Sequence, residues 1–118
     1  MTKPVSDHFN DVEFACNHCG ELHPDGVNME LVALLEKLRG HFGAPVAINS
    51  GYRCPVHNAN VGGAIASKHL LGQAADVVVK GVSPNDVYAW AHKANPNGGV
   101  GKYNTFTHID VRSGKARW

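Results

Sequence analysis

The sequence of 118 residues has no long hydrophobic run and no excess of charge of one sign. The apolar stretch from Val27 to Leu38 is interrupted by polar and charged residues, so it predicts no membrane span. The formal net charge is +1 and 18% of the residues are charged, which indicates neither a nucleic-acid-binding surface nor a disordered tail. Residues 1–7 lack the apolar core of a signal peptide, so we expect synthesis in the cytoplasm without one.

Cysteine is scarce and odd in number, since the chain contains Cys16, Cys19 and Cys54 alone. One thiol must stay unpaired, and a cytosolic origin disfavours disulfides altogether. Cys16 and Cys19 have the spacing of a zinc knuckle, but the second pair that a zinc ribbon needs is absent. These two thiols could bind a metal together with His18, His23 or Cys54. The simpler interpretation, which the sequence favours, is buried thiols or the relic of a metal-binding loop.

Two segments predict helices. Residues 28–39 place four leucines at helical spacing before Gly40, which predicts a main helix whose leucine stripe faces the core. A second helix is expected to begin with Ser83 as its cap and Pro84 in its first turn, and to continue to Ala91.

Strands are predicted in the remaining segments. Residues 45–50 and 76–79 have the composition of strands, residues 100–103 and 105–111 predict a hairpin, and residues 115–118 can add an edge strand. The expected fold class is therefore α+β, a small antiparallel sheet with flanking helices. A chain of this length can bury one core, so we expect a single domain spanning the whole chain, and a monomer.

Two imidazoles and one carboxylate, from His69, Asp76 and His108, can occupy three positions of a Zn²⁺ site and leave the fourth for water. On a straight helix His69 and Asp76 would lie roughly 10 Å apart, whereas metal bonds are only about 2 Å long. The chain must therefore turn between them, and Gly72 can adopt the unusual backbone conformation required. His108 lies in a predicted strand, where alternation places Asp110 on the same face.

The pattern Ser-x-His-x-x-Gly-x-Ala-x-Asp at residues 67–76, followed by His108, resembles the zinc D-alanyl-D-alanine carboxypeptidase family. Relatives of that family include cell-wall endopeptidases and phage endolysins. The segments at residues 48–53 and 60–64 are similar to the family as well, and the resemblance extends from about Cys16 to the last residue. It implies the fold that this family shares with the hedgehog signalling domain.

The resemblance implies that His69, Asp76 and His108 are the ligands of one Zn²⁺, and that Arg53 contacts the substrate beside it. The implied activity is that of a zinc metallopeptidase, which hydrolyses an amide bond in a stem peptide or cross-link of peptidoglycan. Arg53 and the metal would stabilise the oxyanion. The implied setting is the cell wall, reached by a phage-type lysin after release or by a subunit carried in the virion.

Ser67 and Tyr52 are further candidates for contact with the substrate. We expect the Ser67 hydroxyl to fix the loop of His69 by a hydrogen bond rather than to act as a nucleophile. Tyr52 can line the cleft or fill the core, and core packing is favoured. Arg53 could alternatively form a surface ion pair worth under about 1 kcal/mol, but its position after a Ser-Gly-Tyr turn favours the substrate role.

The chain departs from the family at the general base. Relatives carry Glu or His one to three residues before the last zinc ligand, whereas positions 105–107 here are Thr, Phe and Thr. Asp110 is the first substitute, although it could equally orient a ligating histidine. His57 is the second candidate, and a different loop alignment would bring Glu13 or Glu21 into the site.

The missing base also leaves a function of another class open. The hedgehog likeness indicates that this scaffold can hold zinc in a protein that binds without catalysis. The alternative to an enzyme is therefore a zinc-containing wall-binding or phage structural module.

Overall fold

The computed structural model of the protein describes residues 3–63 and 67–118. Met1, Thr2 and Ala64, which belong to two of the segments considered above, lie outside this part of the chain. The described elements follow in this order: a 3-10 turn (Asp11–Phe14), α1 (Met29–Phe42), β1 (Val46–Ser50), α2 (Pro55–Asn60), β2 (Ala74–Val79), α3 (Pro84–Ala94), β3 (Gly99–Lys102), β4 (Thr107–Asp110) and β5 (Ala116–Arg117).

The strands form one sheet in the order β1-β2-β4-β3-β5. β2 pairs antiparallel with β1 and with β4, and β3 pairs antiparallel with β4. The short strand β5 runs parallel to β3 at the edge. The α+β class and the small, mostly antiparallel sheet with flanking helices are thus confirmed.

Helix α1 carries the predicted leucine stripe into the core, where Leu35 and Leu38 are fully buried. Its cap is the Asn28 side chain, which accepts hydrogen bonds from two backbone N–H groups of the first turn. The expected end at Gly40 was wrong, because the helix continues to Phe42 and stops at Gly43 in the left-handed conformation. No helix in residues 3–63 and 67–118 is long and apolar enough to span a bilayer.

The two faces of the sheet have different surroundings. Val77, Val79 and Ile109 point to the side that α1 and α3 cover, and they belong to one hydrophobic cluster with the leucines. Because side chains alternate along a strand, Asp76 and His108 point to the opposite side. The core thereby fixes which side chains the sheet presents on its other face.

Two local features differ from the sequence-based expectation. Helix α2 (Pro55–Asn60) occupies a segment in which the sequence predicted no helix. Its six residues have no apolar stripe, and its cap is the thiol of Cys54, which is an uncommon capping residue. Strand β2 begins at Ala74 rather than Asp76, since Ala74 and Ala75 are buried in the sheet although alanine has no strand propensity.

Candidate metal centre

Three separate parts of the chain bring the predicted ligand residues together. The pairing of β2 with β4 places Asp76 directly opposite His108. His69 comes from the turn before β2, which reverses at Gly72 with a φ of +68°. The expectation that the chain turns at Gly72 is therefore confirmed.

The ligand atoms of these residues converge on one point. His69 Nε2 lies 3.2 Å from Asp76 Oδ1, and His108 Nδ1 lies 3.1 Å from the same oxygen. Tetrahedral coordination with bonds of about 2.0–2.1 Å separates neighbouring donor atoms by about 3.3 Å. All three residues are at most 6% exposed. Two imidazoles and one carboxylate at these separations fit Zn²⁺ with a further position open.

Each imidazole has a hydrogen-bond acceptor at the ring nitrogen that faces away from Asp76. His69 Nδ1 lies 2.7 Å from the carbonyl oxygen of Gly51, and His108 Nε2 lies 2.7 Å from Asp110 Oδ2. These partners require an N–H on the outer nitrogen, so the inner nitrogen of each ring has a free lone pair for a metal.

Electrostatics make the cluster a site where metal and protons compete. Burial raises the pKa of the Asp76 carboxyl, but hydrogen bonds with His108 and His69 outweigh burial and lower this pKa to about 2. Burial lowers the pKa of His108, yet hydrogen bonds to Asp110 and Asp76 raise it above the ordinary value. A metal and a proton would compete for the inner nitrogen of His108, so we expect metal binding to weaken as the pH falls.

Arg53 lies at the side of this cluster. Its Nη2 donates to Asp76 Oδ2 at 3.1 Å, its Nε to the Ser50 hydroxyl at 3.1 Å, and its Nη1 to Asn58 Oδ1 at 3.4 Å. The guanidinium therefore orients the second oxygen of the Asp76 carboxylate while it lines the cleft above.

Asp110 is completely buried beneath His108. Its carboxylate accepts hydrogen bonds from the Gly99 N–H and from the backbone and guanidinium of Arg112. Burial raises the pKa of Asp110, but the hydrogen bonds from His108 and Arg112 hold it well below the usual range. The carboxylate faces the nitrogen of His108 that points away from Asp76, which suits the orienting role better than that of a base.

A cleft of about 470 Å³ opens above the cluster, and aromatic side chains form part of its wall. Tyr103 stacks on Phe106 with ring centroids 4.4 Å apart, and its hydroxyl accepts the indole N–H of Trp118 at 2.9 Å. The Trp118 ring lies 4.8 Å from that of His108. The sequence did not identify this wall, although Phe106 shares a strand face with His108.

Ser67 lines the cleft, and its hydroxyl accepts a hydrogen bond from the His69 N–H at 3.2 Å. Tyr52 lies elsewhere, edge-on to the ring of His23 in a small pocket beside Phe14. Of these two substrate-binding candidates, the structure places only Ser67 at the cleft.

The other candidates for the general base do not line the cleft. The ring of His57 stacks on that of His18, with centroids 5.8 Å apart. The Glu13 carboxylate accepts the Asn10 N–H at 2.6 Å at the start of the 3-10 turn. None of His57, Glu13 and Glu21 is among the residues that line the cleft in the described chain.

Comparison with known proteins gives two matches. The sequence profile of the family described as Peptidase M15 matches residues 7–110. The chain is also similar to a zinc D-Ala-D-Ala carboxypeptidase of Streptomyces albus G, with 33% identity over 78 residues. That alignment covers 60% of this chain and 29% of the relative, so the matched part of the chain spans less than a third of that protein's length.

We expect His69→Ala and His108→Ala each to abolish stoichiometric zinc binding at this cluster, because each removes one of three converging donors. Calorimetric titration of metal-free protein with Zn²⁺ measures the loss. His41→Ala is the matched control, since His41 is exposed on α1 and its ring lies against those of Phe42 and Trp90. Full binding at the cluster by either ligand variant would refute the ligand assignment.

Asp110→Asn should weaken zinc binding by about 10–100-fold, the usual effect of losing the partner of a ligating histidine. Gly99→Ala should weaken it in the same direction, because a Cβ at Gly99 would overlap the Asp110 carboxylate. Gly40→Ala is the control, since a Cβ there meets no atom within 4 Å. Competition with a chelating dye gives the affinities, and unchanged affinity in both test variants would rule out the orienting role.

Proposed function

Because this chain belongs to the Peptidase M15 family, we propose that it is a zinc-dependent peptidase that hydrolyses an amide bond in peptidoglycan stem or cross-link peptides. The observation that carries the proposal is the convergence of His69 Nε2, Asp76 Oδ1 and His108 Nδ1 at the floor of an open cleft. Similarity to a zinc D-Ala-D-Ala carboxypeptidase supports the substrate class.

The ligand residues would hold the ion, and their partners would keep them in place. Zinc bound there would supply a Lewis acid that activates water and polarises a carbonyl. The Gly51 carbonyl and the Asp110 carboxylate fix the two imidazole rings, so the donor atoms need little rearrangement when the ion binds. We assign Asp110 to this positioning role.

Arg53 is suited to bind the carbonyl oxygen of the scissile amide. A guanidinium has five N–H groups, and contacts with Ser50, Asn58 and Asp76 use three of them. The others can donate to an oxygen in the cleft, next to the ligand cluster. A donor held rigidly where negative charge develops is an effective contribution of a protein to amide hydrolysis.

The cleft also has the charge that a stem peptide requires. Arg53, Lys68 and Arg112 line it, whereas Asp76 is its one carboxylate side chain among the described lining residues. Stem peptides carry free carboxylates, which such cations would attract. The indole of Trp118 and the ring of Phe106 offer apolar surface for their short aliphatic side chains. These features support a substrate of the D-Ala-D-Ala carboxypeptidase or endopeptidase type.

One observation favours a second candidate function. The cleft lining within the described residues contains no carboxylate or imidazole side chain beyond the three ligand residues. A protein with a zinc site and a peptide-sized cleft but no separate proton acceptor could bind cell-wall peptides without cleaving them. The second candidate is therefore a non-catalytic zinc-containing wall-binding or phage structural module.

The deciding experiment is mass spectrometry of purified cross-linked peptidoglycan fragments after incubation with zinc-loaded protein. We expect new fragments with wild type and with His41→Ala, and none with His108→Ala or with a chelator. Loss of one terminal residue would identify a carboxypeptidase. Conversion of cross-linked dimers to monomers would identify an endopeptidase of the kind a phage-type lysin needs at the wall. Intact fragments from several wall chemotypes, with zinc bound, would refute the peptidase and leave the binding module.

Arg53→Ala should lower kcat/KM on the fragment that is cleaved by about 10²-fold or more, the usual effect of removing an oxyanion donor. Zinc content is measured in parallel, because Arg53 also contacts Asp76; we expect the ion to remain. Arg39→Ala, at a half-buried position of α1 that does not line the cleft, is the control and should keep full activity. An unchanged kcat/KM for Arg53→Ala would remove Arg53 from the substrate site.

A further inference from the structure

The three cysteines lie together, outside the cleft. Cys16 and Cys19 follow the 3-10 turn, and Cys54 precedes α2. Their sulfur atoms all lie within 4.8 Å of one another, and all three thiols are free. The sequence left open a metal bound by Cys16 and Cys19 together with Cys54 or a histidine, but it favoured buried thiols or the relic of a metal-binding loop, because nothing in it places Cys54 beside the other two.

The backbone around the first two cysteines forms a tight turn. The Gly20 N–H donates to the carbonyl oxygen of Cys16 at 2.8 Å, and the Cys16 N–H donates to that of Glu21 at 2.8 Å. These two bonds close the turn on itself and direct the side chains of Cys16 and Cys19 toward the same place.

Backbone N–H groups also point at the sulfur atoms. The Cys54 N–H donates to Cys16 Sγ at 3.4 Å, and the His57 N–H donates to Cys54 Sγ at 3.4 Å. Such bonds fix the direction of a sulfur lone pair and favour the negative thiolate, which is the form that binds metals.

We propose that Cys16, Cys19 and Cys54 form a second metal centre, which binds a structural Zn²⁺ through three thiolates and one donor without sulfur. Zn–S bonds of about 2.3 Å in a tetrahedral site separate the sulfurs by about 3.8 Å, a distance compatible with three sulfur atoms that all lie within 4.8 Å of one another. The rings of His18 and His57, which stack on each other, lie near these cysteines in sequence but do not belong to the converging group, so the fourth donor would be water or an imidazole that rotates into place.

The position of this centre explains what it would stabilise. It joins the N-terminal segment to the loop after β1, and the two are already linked by other bonds. The Tyr52 N–H donates to the Phe14 carbonyl oxygen at 2.9 Å. The side-chain amide of Asn17 donates to the backbone carbonyl oxygen of Asn49 at 2.8 Å. A metal bound by three thiolates would make this junction far more rigid.

The same loop supports the other metal site. Its Gly51 carbonyl holds the ring of His69, and its Arg53 side chain holds the carboxylate of Asp76. The thiolate centre would thus fix the backbone from which two contacts to the ligand cluster arise. It shares no residue with that cluster, so each centre can be measured without the other.

Reconstitution of the reduced, metal-free protein with Co²⁺ tests the proposal directly. Bound thiolates give a sulfur-to-cobalt charge-transfer absorption in the near ultraviolet, whereas a site of two imidazoles and one carboxylate contains no sulfur. We expect two equivalents of Co²⁺ per chain, with this absorption accounting for one of them. Binding of a single equivalent without the absorption would overturn the proposal, and this readout is independent of hydrolysis.

Variants assign the absorption to its residues. Cys54→Ser should lose one equivalent of metal and the charge-transfer absorption, and it should lower the Tm of the zinc-loaded protein by roughly 10 °C. His108→Ala should keep the absorption while losing the other equivalent. Asn17→Ala, which removes the neighbouring hydrogen bond but no thiol, should keep both. Retention of the absorption by Cys54→Ser would refute the assignment.

Alkylation separates a metal centre from a disulfide and does not depend on the folding of any variant. In the wild type loaded with zinc, we expect the three thiols to resist a thiol-alkylating reagent. After chelation, without a reductant, all three should react, and mass spectrometry counts the adducts. If two of the sulfur atoms stay unreactive after chelation and react only once a reductant is added, they form a disulfide, and the proposal is overturned.

Discussion

The pairing of β2 with β4 is the interaction on which the rest of the structure depends. In this register Asp76 lies opposite His108, while Val77 and Ile109 point into the helices. A slip by one residue would send the carboxylate and the imidazole into the apolar cluster, where unpaired polar groups are costly. Burial of the valines and leucines therefore enforces the geometry of the candidate metal centre, although these apolar side chains lie on the other face of the sheet.

The cluster of His69, Asp76 and His108 is preorganised by hydrogen-bond and ion-pair partners that lie outside it. Asp76 would be costly as a lone buried charge, but Arg53 and the two imidazoles surround it. His108 is in turn held by Asp110, whose charge Arg112 balances. This chain of alternating charges lets the fold tolerate the site without an ion and keeps the donors in position for one.

The sequence predicted those features that have a local signal. The leucine stripe of α1, the strand alternation around His108 and the turn at Gly72 all follow from spacing or from glycine chemistry. Features created by distant pairing had no such signal. Trp118 reaches the cleft only because β5 adds to β3, and Cys54 meets Cys16 across 38 residues of sequence. His69, Asp76 and His108 were proposed as ligands because a family motif, rather than physical periodicity, marks them, and the structure brings the three together.

The shape of the cleft depends on a residue without a side chain. Gly101 lies opposite His108 in the sheet, and a Cβ at this position would overlap the indole of Trp118. The tryptophan can rest against the strand only because that space is empty. Any residue larger than glycine at position 101, even alanine, would therefore push the Trp118 ring toward the cluster of His69, Asp76 and His108 or out into solvent. One position in the strand thus sets the shape of the cleft wall without any change to His69, Asp76 or His108.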